Sequence, residues 1–180
     1  MNFTIYTGPM FGGKTSKMLA DLEREKYRKK KIIVFKPEQD NRYSSNKVKT
    51  HSGNSWPAVS VTNGADIITK SIGYDVIGVD EAFMIDGCGD VLAFLFANGY
   101  SIYVSTVQLS SDGKPFAEPM KMFPYATKIE VCPAVCPVSG VDAYYTMATT
   151  DKSSDIQVGG SDIYQPRSYQ EYVNVLRNVI

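Results

Sequence analysis

The chain has 180 residues, and 19 Lys plus Arg stand against 19 Asp plus Glu, so its formal net charge is zero. That length suits one compact domain with a real core and a small appendage, and the balanced charge excludes a global field drawing it to nucleic acid or a membrane. No apolar run approaches the ~20 residues that span a bilayer, the N-terminus shows no charged-then-apolar leader pattern, and Cys88, Cys132 and Cys136 do not make a secreted disulfide framework. A cytoplasmic location is expected.

Phe3 to Thr7 is a run of aromatic and β-branched residues that predicts a buried strand. Gly8-Pro9-Met10-Phe11-Gly12-Gly13-Lys14-Thr15 follows and fits G-x-x-x-x-G-K-[ST], the phosphate-binding P-loop. Residues 16–29 then read as a helix with Met18, Leu19 and Leu22 on one face. Strand, glycine loop and helix are the context the motif requires. The glycines let backbone N–H groups turn inward around phosphate oxygens, and the helix N-terminus adds partial positive charge. Lys14 would reach the β- and γ-phosphates, and the Thr15 hydroxyl would ligate Mg²⁺. The sequence therefore predicts binding of a nucleoside triphosphate.

The basic run at residues 24–31 reads either as a solvated helix end that complements the dipole or as a nucleic-acid contact. Residues 32–35 predict a second buried strand, and strand–helix–strand implies a right-handed unit of a parallel sheet. Residues 38–56 are polar and turn-rich, and so long a loop marks a functional segment or a disordered one. Arg42 within it is either surface charge or an arginine that neutralises transition-state charge. His51 is the only histidine, so neither a His-based triad nor a multi-histidine metal site is available, and a loop-packing role is expected.

Residues 66–71 predict a short helix and residues 74–79 a third buried strand ending in Asp80-Glu81. An apolar strand closing on an acidic pair is the Walker B pattern. Asp80 would support Mg²⁺ and Glu81 would polarise an attacking hydroxyl. A helix at 91–98, a strand at 101–107, a loop at 108–116, a short helix at 118–125 and a strand at 126–131 follow. From Cys132 the composition shifts to prolines, small residues and tyrosines, predicting a small β-rich lobe to about Pro166 and an amphipathic helix over 168–180. The expected organisation is an α/β P-loop domain, a parallel sheet flanked by helices, over 1–131, then the small lobe over 132–166 and a terminal helix over 167–180.

Several blocks together resemble the type II (cellular and phage-type) thymidine kinase family. They are G-P-M-F-G-G-K-T, K-P-x-x-D-x-R-Y-S-S from Lys36 to Ser45, Thr50-His51, Val79-Asp80-Glu81, Lys114-Pro115-Phe116, Ala134-Val135-Cys136, Tyr145-Thr146 and V-G-G-x-D-x-Y from Val158 to Tyr164. The resemblance implies ATP- and Mg²⁺-dependent transfer of the γ-phosphoryl group to the 5′-hydroxyl of thymidine or a deoxyuridine-like nucleoside, in salvage for DNA synthesis. It implies Glu81 as general base, Arg42 beside the reacting oxygen, and a base pocket of Met10, Phe83, Met84, Ser111, Phe116, Thr146, Gln157, Val158, Gly159 and Tyr164. It also implies a lasso loop over about 151–166 that reads the base through backbone groups, and a homotetramer.

The departures cluster on the nucleoside side. The family's glutamine two residues after the glutamate is Phe83, its L-D-x-x-F block is Val107-Gln108-Leu109-Ser110-Ser111, and its arginine two residues past Thr146 is Ala148. Its two Cys-x-x-Cys pairs for zinc become Cys136-Pro137-Val138-Ser139 and Ser168-Tyr169-Gln170-Glu171, so no zinc is expected. Two other functions remain open at this stage: a P-loop ATPase acting on nucleic acid or a protein partner, and a nucleotide-binding protein without catalysis.

Overall fold

The inner strands of the central sheet are buried on both faces, so the chain spells them as short solid apolar runs. The computed structural model describes residues 1–40, 46–50, 53–149 and 162–179. In chain order it forms β1 (Phe3–Thr7), α1 (Lys14–Tyr27), β2 (Ile32–Pro37), β3 (Lys47–Lys49), β4 (Ser55–Pro57), β5 (Val59–Val61), α2 (Gly64–Lys70), β6 (Val76–Val79), α3 (Cys88–Ala97), β7 (Ser101–Ser105), α4 (Ala117–Met122) and β8 (Lys128–Val131). Six of the strands make one parallel sheet in the order β5-β2-β6-β7-β1-β8.

Strand periodicity divides the core into two layers. Phe3, Ile5, Ile33, Phe35, Ile77, Val79, Ile102 and Val104 face α2, α3 and α4 and pack with Ile67, Leu92 and Met122. Tyr6, Val34, Val76 and Tyr103 face the other way, onto Met18, Leu19 and Leu22 of α1. Gly78 lets α1 come close, since a Cβ there would lie 2.8 Å from Leu22 Cδ1. This face packing fixes α1, and with it the loop that leads into α1, against the carboxyl end of the sheet.

The boundaries differ from the sequence expectation where a distant partner sets them. α1 begins at Lys14 and not at 16, because the lysine and threonine of the motif form its first turn. α2 begins at Gly64 because the Asn63 side chain accepts from the Ala65 and Asp66 N–H groups. α3 begins at Cys88 and not at 91, because Glu118 Oε2 accepts from the Gly89 N–H at 2.7 Å. β7 stops at Ser105, and a 3-10 turn over Phe123–Tyr125 with Pro124 in its first turn takes over from α4. The stretch 38–56 holds the antiparallel β3–β4 hairpin, and the three-residue β5 adds the edge strand that the sequence did not announce.

The run at 24–31 covers the last turn of α1 and the segment just past it, and three of its cations meet acids three residues back: Arg24 with Asp21, Lys26 with Glu23 and Arg28 with Glu25. Beyond the sheet come β9 (Ala134–Val135), β10 (Asp142–Ala143), β11 (Tyr145–Ala148), β12 (Tyr164–Arg167) and α5 (Tyr169–Val179), with β9 paired to β10 and β11 to β12, both antiparallel. Among the described residues no helix is long and apolar enough to cross a membrane.

Candidate functional site

In a parallel sheet the loops at the carboxyl ends of the strands share one edge, and ligands bind there. The loops after β1, β2, β6 and β7 bring the P-loop, Asp40, Asp80-Glu81 and Gln108 to that edge. The P-loop adopts left-handed backbone at Phe11 (φ 66°) and Gly13 (φ 74°), and Gly8 sits at φ 130°, a region that L side chains rarely adopt. Its underside rests on Cys132, whose N–H donates to the Thr7 carbonyl at 2.7 Å. A Cβ on Gly8 or Gly12 would lie 2.4 or 2.3 Å from the Cys132 carbonyl oxygen, so both glycines serve close backbone approach. Lys14 is buried, and its Nζ donates to the Pro9 carbonyl at 2.6 Å.

Beside the loop, the Thr15 hydroxyl donates to Asp80 Oδ1 at 2.9 Å and lies 3.3 Å from Ser105 Oγ. Burial and the neighbouring Glu81 charge push the Asp80 carboxyl up to about 6, against the hydrogen bonds from Ser105 and Thr15, with Asp40 adding to the rise. The pair fits a divalent cation: a hydroxyl and a carboxylate oxygen in contact, in a place whose crowded negative charge a cation relieves. Glu81 is half-buried and holds φ 50°, ψ 43°, a left-handed conformation that costs a non-glycine residue of order 1–3 kcal/mol. Strain of this kind persists where the surrounding fold over-determines a side chain's aim. These groups line a cleft of about 360 Å³, which Lys36, Asp40, Lys47 and Lys49 also line. Lys36 and Asp40 are both buried and form an ion pair at 4.0 Å.

Of the side chains expected at the nucleoside, Thr146 meets the P-loop. Thr146 Oγ1, on β11, accepts from the Met10 N–H at 3.0 Å, so the small lobe touches the P-loop directly. Phe83 packs on Phe116 with ring centroids 4.6 Å apart, Met84 is buried, and Tyr164 is buried on β12 opposite Ala148. The Ser111 hydroxyl is buried with no hydrogen-bond partner among the described residues. Tyr172 of α5 stacks on Tyr145 at 4.7 Å. Arg42, His51, Gln157, Val158 and Gly159 lie outside the described residues.

Sequence reasoning passed over Ser105, Lys36, Asp40 and Gln108 as contributors. Only the strand order reveals that β7 ends next to β1, and the one signal at hand was the K-P-x-x-D block.

The positions that the resemblance assigns to zinc do converge in part. Burial pushes the Cys136 thiol up, while the Ser139 side chain and the backbone N–H groups of Ser168, Ser139 and Val138 bond its sulfur and bring it down to about 6. Ser139 Oγ lies 3.4 Å from Ser168 Oγ. One thiolate and two neutral hydroxyls do not fit a structural zinc site, which takes four Cys or His ligands. Cys136 is instead received by amides and a hydroxyl, and Ala134 and Ala143 pack beside it. Elemental analysis is expected to find no stoichiometric zinc, and a chelator to leave the melting temperature unchanged. Zinc in stoichiometric amount, or unfolding of this lobe by chelator, would contradict that.

A family model described as thymidine kinase matches residues 1–172. A protein of Ureaplasma urealyticum serovar 10 named thymidine kinase is 35% identical over 154 residues, an alignment that covers 82% of this chain and 69% of that one.

Proposed function

The chain belongs to the thymidine kinase family, and from that premise we propose how its own residues phosphorylate thymidine for nucleotide salvage. ATP is the phosphoryl donor. Lys14 exchanges the Pro9 carbonyl for β- and γ-phosphate oxygens, and the opening turn of α1 offers the same phosphates amides that the helix itself cannot use. Thr15 and Asp80 would hold Mg²⁺, which would neutralise charge on the phosphates.

Glu81 accepts the proton of the 5′-hydroxyl as that oxygen attacks, and Arg42 neutralises the charge on the transferring group. Met10, Phe83, Met84, Ser111, Phe116, Thr146 and Tyr164 surround the base, and backbone groups of Gln157, Val158 and Gly159 read its edge. The division into 1–131, 132–166 and 167–180 follows this chemistry: phosphates on the first part, the nucleoside under the second. The enzyme works in the cytoplasm as a homo-oligomer, a tetramer by family resemblance. The observation that carries the reading is the Thr15–Asp80 contact with Glu81 next in sequence, held in a strained backbone.

A nucleoside panel tests it. ADP release from ATP and Mg²⁺ is expected to depend on added thymidine or deoxyuridine, with poor discrimination between them, because a buried methyl-sized group decides only ~1–3 kcal/mol. Release at the same rate with no nucleoside would overturn the reading. The small Ser111 leaves one face of the base without an aromatic partner, and such contacts contribute about 0.5–1.5 kcal/mol. Ser111→Phe is therefore expected to tighten thymidine by roughly 2–10-fold in a titration against wild type; weaker binding would mean that Phe83 or Met84 already fills that face and the phenylalanine overpacks it, and unchanged binding would remove Ser111 from the pocket wall.

A further inference from the structure

The amides of the P-loop divide into two sets. One set is taken by the protein: Gly8 N–H donates to Gln108 Oε1 at 2.9 Å, Met10 N–H to Thr146 Oγ1 at 3.0 Å, and Gly12 N–H reaches the Pro9 carbonyl at 3.4 Å. Pro9 has no N–H to give. The amides that open α1 have no acceptor within the helix itself, and a phosphate can use them.

Gln108 is the side chain that makes this division at the loop's entrance. Its Oε1 also accepts from the Thr7 hydroxyl at 2.5 Å, so one oxygen grips the last residue of β1 and the first residue of the loop together. Gly8 needs such a grip. It sits at φ 130° with its backbone pressed against Cys132, a conformation that nothing intrinsic to the chain favours. Gln108 is itself well held. Its carbonyl accepts from the Phe116 N–H at 3.0 Å, Ser110 N–H donates to the Lys114 carbonyl at 2.8 Å, and Leu109 bridges to Pro115, so the segment 108–116 closes on itself. A neutral amide accepts both bonds here, where the resembled family has an aspartate.

We infer that Gln108 is a positioning residue for phosphoryl transfer, fixing the entrance of the P-loop by accepting from the Thr7 hydroxyl and the Gly8 N–H so that the remaining loop amides are aimed at the triphosphate. The inference rests on the kinase reading above only for the identity of the acceptor nucleoside. It acts through the loop, since Gln108 itself need not touch ATP.

The test compares wild type, Gln108→Leu and Gln108→Glu by ATP binding in calorimetry, by kcat and both KM values in ADP release, and by melting temperature. Gln108→Leu strands the Thr7 hydroxyl and the Gly8 N–H without an acceptor, and ATP affinity and kcat/KM for ATP are expected to fall on the order of 10–100-fold. KM for thymidine should stay within about twofold, because the bonds lost belong to the loop and not to the base pocket. Gln108→Glu keeps an acceptor for both donors and should recover kcat relative to Gln108→Leu, with KM for ATP still raised by the added charge near phosphate.

A merely structural glutamine predicts otherwise: a lower melting temperature and a lower active fraction in Gln108→Leu, with both KM values and the ATP affinity unchanged. That result would overturn the inference, as would Gln108→Glu behaving no better than Gln108→Leu in kcat. A wild type that binds ATP but releases no ADP with any nucleoside would sink the kinase reading and not this one, because calorimetry with ATP still reports on the loop.

Discussion

Glu81→Gln is expected to lower kcat by about 10²–10⁴-fold while leaving ATP affinity nearly intact. The substitution keeps the shape of the side chain and removes the carboxylate proposed to accept the 5′-hydroxyl proton. The left-handed backbone at this residue, φ 50° and ψ 43°, is carried by the fold and does not depend on the carboxylate charge. Glu81 is also one of the charges that push the Asp80 carboxyl up, so its neutralisation brings that carboxyl back toward its ordinary range and leaves the Thr15–Asp80 contact in place. Phosphate binding is thereby separated from chemistry. Initial rates at saturating ATP and thymidine, with ATP binding measured in parallel, check both halves, and near-full turnover would take Glu81 out of the mechanism. Arg42→Ala should lower kcat by up to roughly 10³-fold if the guanidinium neutralises the transferring group.

Gly12→Ala should cripple the site by a different route. The new methyl carbon would stand 2.3 Å from the Cys132 carbonyl oxygen and 3.2 Å from its carbon, so backbone must move on one side or the other. Neither side is pliant. Cys132 is tied to Thr7, and the loop is tied to Thr146 and Gln108. A displacement of about 1 Å in a group that positions phosphate costs on the order of 10²-fold, and that is the expected loss in kcat/KM for ATP. Overpacking should also remove about 1–3 kcal/mol of stability. Gly13→Ala is the control. It has a left-handed φ of 74° but nothing within 4 Å of the added carbon, so it should suffer backbone strain alone and retain more activity. ATP saturation curves and melting temperatures for both variants decide, and equal effects at the two positions would refute the close-approach argument.

Much of this was legible from the sequence because the information was local. The strand–loop–helix run to α1 and the acidic pair after β6 each announce themselves within a few residues, and the contact between Thr15 and Asp80 follows from α1 opening, and β6 closing, at the same edge of the sheet. What stayed hidden was decided by partners far along the chain. α3 starts where Glu118 reaches back to Gly89, β5 is visible only as a neighbour of β2, and Gln108 is an ordinary loop glutamine until β7 is seen beside β1. The nucleoside pocket was hardest, because departures from a family pattern show which residue is missing and not what has replaced it. Phe83 packing on Phe116 is such a replacement contact.

The position of β1 also governs when the protein can become active during its own synthesis. β1 is made well before both of its neighbours, Phe3 beside Ile102 on one side and Thr4 beside Lys128 on the other. Pairings so distant in sequence form late and slowly, since the intervening chain must be closed into a loop first. The glycine loop therefore leaves the ribosome early but has no floor until Cys132 arrives. A nascent chain stalled before that residue holds the whole P-loop motif and cannot yet hold a triphosphate. In this protein the phosphate loop is written well before the residue it rests on.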